Sequence, residues 1–224
     1  MEKDQLKILA ENLANPQGAK GIEIGEMMHA TNIGMTMESV HALIIEDNNH
    51  ILEIGHGNAG HLKSLLRIAK DLKYTGIDIS ETMHNEAGNL NIEFKDQADF
   101  VLYEGEKLPF EDEVFDKIFT VNTVYFWKEP VAYLNEIYRV LDDNGTFVLT
   151  FGQREFMQTL PFTEYNFKLY SNDEMEELVS KSHFKRMKIS EKEEAIKSKT
   201  GDELIKRIYT VLTCLLYTSP SPRD

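Results

Sequence analysis

The sequence predicts an α/β fold, a doubly wound sheet with helices on both faces. Three observations carry this. Residues 49–66, NHILEIGHGNAGHLKSLL, read as strand, glycine turn and helix. The apolar run Ile51, Leu52, Ile54 is broken at Gly55, Gly57 and Gly60, and helix spacing then begins at Leu62, Leu65, Leu66 and Ala69. KYTGIDIS at 73–80 is the next strand, with Asp78 near its end, twenty-three residues after Gly55. Strand-like and helix-like stretches then alternate as far as TFVLTF at 146–151.

Composition bounds the function. The chain of 224 residues suits one domain with a full core. A net charge of -14 argues against tight nonspecific nucleic-acid binding, because there is no net positive field to release counterions. With one cysteine, Cys214, no intrachain disulfide or cysteine zinc cluster is expected. His29, His41, His56 and His61 show no metal-ligand spacing, so no metal is expected; His56 reads as a loop residue near a bound ligand. No apolar run is long enough for a membrane helix, and MEKDQLKILAENL lacks a signal-peptide core, so the expected location is cytoplasmic.

Leu6, Leu9 and Leu13 predict a first helix, ended by NPQG at 15–18. Ile22, Met27 and Met28 suggest a second helix face closed by Asn32 and Gly34, and a further helix runs through Met37–Leu43. Met27, Met28, Met35 and Met37 are packing residues first, with a flexible apolar substrate as the alternative.

The glycine turn presents free backbone N–H groups at a helix start. Gly55, Gly57 and Gly60 satisfy the dinucleotide pattern G-x-G-x-x-G. Glu53 cuts against that reading. A carboxylate two residues before the first glycine has little use beside a pyrophosphate, but suits a ligand with an ammonium group and no phosphate. The alternative is that Glu53 caps its own turn. Asp78 stands where such sheets place the acid that accepts both ribose hydroxyls, with helix capping as its alternative role.

Phe100–Tyr103 is a short third strand and Lys117–Val121 a fourth. Ligands of open α/β sheets bind beyond the carboxyl ends of the strands, at the switch point. Asn122 and Tyr125 follow the fourth strand and are the substrate-side candidates; Trp127 either walls the site or pins the next helix. A helix at Val131–Leu141 turns its Leu134, Ile137, Tyr138 and Leu141 inward, and DDNG at 142–145 turns the chain into the fifth strand. Residues 152–170 are irregular. There Phe156, Met157, Phe162, Tyr165 and Phe167 offer an apolar lining or a hidden face, and Arg154 a positive charge for an acidic substrate. SNDEMEELVSKS at 171–182 opens as a capped helix. Phe184–Ile189 is a sixth strand, 191–200 reads as exposed, and Lys206–Leu212 is a last strand.

LEIGHGNAG resembles motif I of class I S-adenosylmethionine-dependent methyltransferases, (D/E)-x-G-x-G-x-G. The resemblance implies that Glu53 lies near the methionine amino group and that Gly55, Gly57, Ala59 and Gly60 let the backbone approach the cofactor. Ala59 stands at the family's third glycine. ISETM implies Ile79 and Met83 against the adenine, with Ser80 or Glu81 opening a helix. YEGEKLPFEDEVFDKIF resembles the family stretch G-D-A-x-x-L-P-F-x-x-x-x-F-D-x-V, which puts Glu104 on the acid that receives the adenine amino group and Gly105 on the small residue after it. Asp96 is a rival for Glu104. EIYRVLDDNGTFVLT resembles E-x-x-R-V-L-K-P-G-G-x-(L/F), while NTVY is not the N-P-P-Y/F signature of amino-methylating DNA enzymes.

The family resemblance further implies a Rossmann-like sheet of seven strands, mostly parallel, the last strand antiparallel between the fifth and sixth. It implies a helical segment at 1–48 covering the site, a cofactor-binding core at 49–151 and a substrate cap with sheet completion at 152–214. LLYTSPSPRD ends the chain, and 215–224 is expected to be disordered or non-native. The function expected is methyl transfer from S-adenosylmethionine to a small-molecule acceptor, without nucleic acid or membrane; neither the acceptor nor an oligomeric state can be read. The alternatives are an NAD-dependent oxidoreductase and a non-catalytic interaction protein of the same fold.

Overall fold

The computed structural model describes residues 2–197 and 204–215. The chain opens with two helices, α1 (Lys3–Ala14) and α2 (Gly18–Ala42), and enters the sheet at β1 (His50–Ile54). There follow α3 (Leu62–Leu65), β2 (Lys73–Asp78), α4 (Glu81–Leu90), β3 (Ala98–Leu102), β4 (Phe115–Val121), α5 (Pro130–Val140) and β5 (Leu141–Gly152). After β5 come α6 (Arg154–Met157) and a 3-10 turn at Pro161–Glu164, and the chain continues through α7 (Asn172–Ser180), β6 (Met187–Lys197) and β7 (Leu204–Leu215).

The seven strands stand in the order β3-β2-β1-β4-β5-β7-β6. The first five are parallel, and β7 runs antiparallel between β5 and β6. This is the expected sheet. Its switch point lies between β1 and β4, because β1 leads to β2 on one side while β4 leads to β5 on the other. Both faces are covered, so Ile51, Leu52, Ile54, Ile118 and Phe119 are all buried regardless of the side they face.

Several expected boundaries differ. Residues 19–43 do not break at Asn32 and Gly34; α2 is one helix of 25 residues. Its glycines serve close packing. A Cβ at Gly25 would stand 2.6 Å from Met83 Sδ, and one at Gly34 would stand 2.2 Å from Glu194 Oε2. The helix after the glycine turn spans only Leu62–Leu65. In α5 the buried face is Tyr133, Leu134, Ile137 and Val140, with Tyr138 half-buried. Leu141 begins β5, opposite Phe115, and Thr146 pairs with Lys117, so DDNG bulges out of the strand. The stretch 191–200, expected to be exposed, is strand over 191–197, with Glu191, Glu193, Ala195 and Lys197 exposed and Ile196 buried; 198–200 lie outside the described residues. Residues 191–197 form a polar edge that pairs only with β7, through backbone bonds that need no apolar side chains. Of the tail 215–224, expected to be disordered or non-native, Leu215 ends β7 opposite Thr146, and 216–224 lie outside the described residues.

Candidate functional site

A cavity of about 270 Å³ opens at the carboxyl ends of β1, β2 and β4, beneath α1 and α2 and beside α6 and the Pro161–Glu164 turn. Glu53, Gly55, Gly57, Asp78, Ile79, Met83, Glu104 and Gly105 all line it. Asn122, Tyr125 and Trp127 line it as well. Ala59 and Gly60 do not.

The turn after β1 is built from left-handed residues. Gly55 has φ +77 and Gly57 φ +55. A side chain at Gly55 would strike Thr123 Cγ2 at 2.4 Å, while at Gly57 the space is open, so its backbone is bare toward a ligand. Ala59 is left-handed too, at φ +49, not the ordinary conformation an alanine prefers. It is buried in the core, and Asn91 Nδ2 donates to its carbonyl at 3.3 Å.

Glu53 is buried and does not cap its own turn. His61 Nε2 lies 2.8 Å from Glu53 Oε2, and the Tyr74 hydroxyl donates to the same oxygen. Burial, reinforced by the neighbouring Glu53 charge, holds the Tyr74 phenol well above its usual pKa, so it stays a donor. His29 of α2 stacks on His61 with ring centroids 6.3 Å apart. Burial, then His61, lowers the His29 pKa.

Asp78 holds the loop as well as facing the cavity. Its Oδ2 accepts from Gly57 N at 3.0 Å and its Oδ1 from Ser80 N at 2.9 Å. The helix cap is Ser80, whose side chain accepts from Met83 N. Burial raises the Asp78 pKa against the opposing pull of His56 and the two backbone donors. His56 is buried, sits in the same loop and lines the cavity. Its Nδ1 lies 2.7 Å from Gly57 O, and its Nε2 is buried without a hydrogen-bond partner among the described residues. Burial lowers its pKa.

After β4, Asn122 takes a left-handed φ of +59, which asparagine tolerates. Its Oδ1 accepts from the Tyr125 hydroxyl at 3.0 Å, and the same hydroxyl lies 3.1 Å from Gly152 O. Burial raises the Tyr125 pKa, so its hydroxyl stays protonated and remains a hydrogen-bond donor. Trp127 does both things asked of it. It lines the cavity and packs on Tyr133 at 4.8 Å. Tyr103, in place of the family glycine, is pushed up to about 12 by burial and pairs with the Tyr133 hydroxyl at 2.7 Å.

Phe156, Met157, Phe162 and Phe167 face the cavity, whereas Tyr165 packs in a small core with α1 and α2. Of the four methionines only Met28 lines it; Met35 is fully buried. Arg154 is absent from the lining and pairs with Glu174 at 2.7 Å. Both Asp96 and Glu104 are exposed, but Glu104 lines the cavity and Asp96 does not. His61, His29, Asn32 and Arg207 line the cavity without having been picked out as ligand contacts. No local pattern marks them, since Arg207 reaches Asn32 Oδ1 (2.8 Å) across 175 residues.

The donor set suits S-adenosylmethionine. A carboxylate offers about four acceptor directions, and at Asp78 two are taken, leaving two for a vicinal diol. Both bonds to Glu53 fall on one oxygen, leaving the other for an ammonium group. Ile79 is an exposed apolar side chain beside Gly105, as a flat base requires.

A methyltransferase domain model matches residues 52–149. Two Bacillus subtilis (strain 168) proteins named as methyltransferases are similar. YrhH is 32% identical over 113 residues, covering 50% of this chain and 62% of its own length. YdaC is 29% identical over 133 residues, covering 58% and 71%. The match thus spans less than two thirds of YrhH. A solved S-adenosylmethionine-dependent methyltransferase from Aquifex aeolicus superposes with a TM-score of 0.62 at 16% identity, over 96% of this chain and 99% of that one. Among the described residues no helix is long and apolar enough to cross a membrane. Residues 52–149 match the methyltransferase domain family, and the chain has the fold of the class I S-adenosylmethionine-dependent methyltransferases.

Proposed function

We propose that the chain transfers a methyl group from S-adenosylmethionine to a small-molecule acceptor. One observation carries this: two buried carboxylates at the ends of neighbouring strands, Glu53 and Asp78, share a cavity with Asn122 and Tyr125 at the switch point. Asp78 accepts the ribose hydroxyls, Glu53 the methionine ammonium, and Ile79 and Met83 flank the adenine. Glu104 and the Gly105 backbone meet the ring edge, and Gly57 leaves room for the ligand to approach the main chain. When bound, the cofactor supplies an electrophilic methyl on a sulfonium sulfur. On the acceptor side, the Tyr125–Asn122 pair holds a fixed polar edge, and Phe126 and Trp127 exclude water. Positioning and desolvation of this kind carry much of the acceleration in group transfer.

Isothermal titration with S-adenosylhomocysteine and with NAD tests the reading. Binding of the first and not the second is expected; NAD binding with no S-adenosylhomocysteine binding overturns it.

A further inference from the structure

The acceptor side of the cavity continues beyond Tyr125. On the β5 side of the switch point its walls are Phe126, Phe156, Met157, Leu160, Phe162 and Phe167. Arg207, on β7, adds a charge to the lining, but that charge is already answered. Its Nη2 lies 2.6 Å from Glu194 Oε1 and 2.7 Å from Thr31 O, and its Nη1 lies 2.8 Å from Asn32 Oδ1. A polar ligand body in this region would lose water without gaining partners.

A second cavity of about 400 Å³ lies against the first. Phe156, Leu160 and Ile205 line both. The rest of the second lining includes Glu155, Thr159, Pro161 and Lys206, all exposed, so this cavity faces solvent. Three apolar side chains therefore form the partition between the reaction cavity and a surface hollow. Two of them, Leu160 and Ile205, are only half-buried.

We propose that the acceptor is a single-chain amphiphile: its reacting head lies against Asn122 and Tyr125, and its apolar chain passes between Phe156, Leu160 and Ile205 into the solvent-facing hollow. The proposal rests on the methyl-transfer reading for what happens at the head. The partition is the observation behind this choice: only the apolar side chains Phe156, Leu160 and Ile205 separate the two cavities, and an apolar chain is the ligand part that such side chains would admit by moving apart.

The test uses the whole chain saturated with S-adenosylhomocysteine and titrated with octanoic, decanoic and dodecanoic acids below their micelle concentrations. Affinity should rise roughly fourfold per added methylene, the ratio that follows from burying one such group. Ile205→Glu should flatten this series while leaving S-adenosylhomocysteine affinity unchanged; Leu160→Asp tests the opposite wall if the first variant does not fold. A flat wild-type series, or no binding by any acid with S-adenosylhomocysteine bound normally, overturns the acceptor class and leaves methyl transfer standing. A steep series that both folded variants retain overturns the passage. A steep series in a protein that binds no S-adenosylhomocysteine overturns the methyl-transfer reading instead. Should neither variant fold, the wild-type series decides alone.

Discussion

Gly34 of α2 and Glu194 of β6 touch so closely that the helix has no room for a side chain there: a Cβ would stand 2.2 Å from Glu194 Oε2. The Glu194 carboxylate cannot simply retreat, because its other oxygen bonds the buried Arg207 guanidinium at 2.6 Å. This contact clamps α2 to the paired strands β6 and β7 beside the cavity. Gly34→Ala gains about 1 kcal/mol of helix propensity. It also displaces the partner of a buried cation, which costs about 3–5 kcal/mol when complete. The expected net is a loss of about 2–4 kcal/mol in denaturant unfolding; an unchanged or raised midpoint removes the clamp.

Asp78→Ala removes both cofactor hydroxyl contacts in the proposed function. The expected loss is roughly 1.5–3 kcal/mol, or about ten- to 150-fold in S-adenosylhomocysteine affinity. The same carboxylate also accepts from Gly57 N and Ser80 N, so some loosening of the loop accompanies it. Thermal unfolding of the ligand-free protein separates the two effects. Unchanged affinity in a folded variant removes Asp78 from the site.

His56 contributes to the acid limb of stability. Burial lowers the pKa of His56 below 6.5, so the unfolded chain binds its proton first as pH falls. The contribution of neutral His56 is therefore present above 6.5 and lost as pH falls through the lowered folded value. His29 and His50 are shifted in the same direction, also chiefly by burial. His56→Asn keeps a donor for Gly57 O while removing one titration. It should flatten the stability–pH slope below 6.5 by up to about 1.4 kcal/mol per pH unit. Equal slopes in urea unfolding from pH 7 to 5 would refute this assignment.

Arg154 has a structural partner rather than a substrate. Its pairing with Glu174 is half exposed, and pairs of that kind contribute little. Arg154→Ala should leave S-adenosylhomocysteine affinity and decanoic acid binding unchanged. A selective loss of acid binding would return Arg154 to the acceptor side.

The sequence by itself determined the parts whose pattern is local. Residues 49–66 showed strand, turn and helix because an apolar run, glycines and a period of three to four succeed one another within eighteen residues. Asp78 was legible because a parallel sheet returns its second strand beside the first after one crossover. The order of the last strands came from family resemblance rather than from residue pattern. Tertiary structure decided the rest. That Glu53 is held by His61 and Tyr74, that Asn122 is locked by Tyr125 and Gly152, and that Gly34 yields to Glu194 all depend on which surfaces meet. The edge strand from 191 to 197 is held by backbone pairing with β7, which leaves no hydrophobic period in its side chains. Arg207 and Asn32 meet across 175 residues, and only the folded sheet brings such distant segments together.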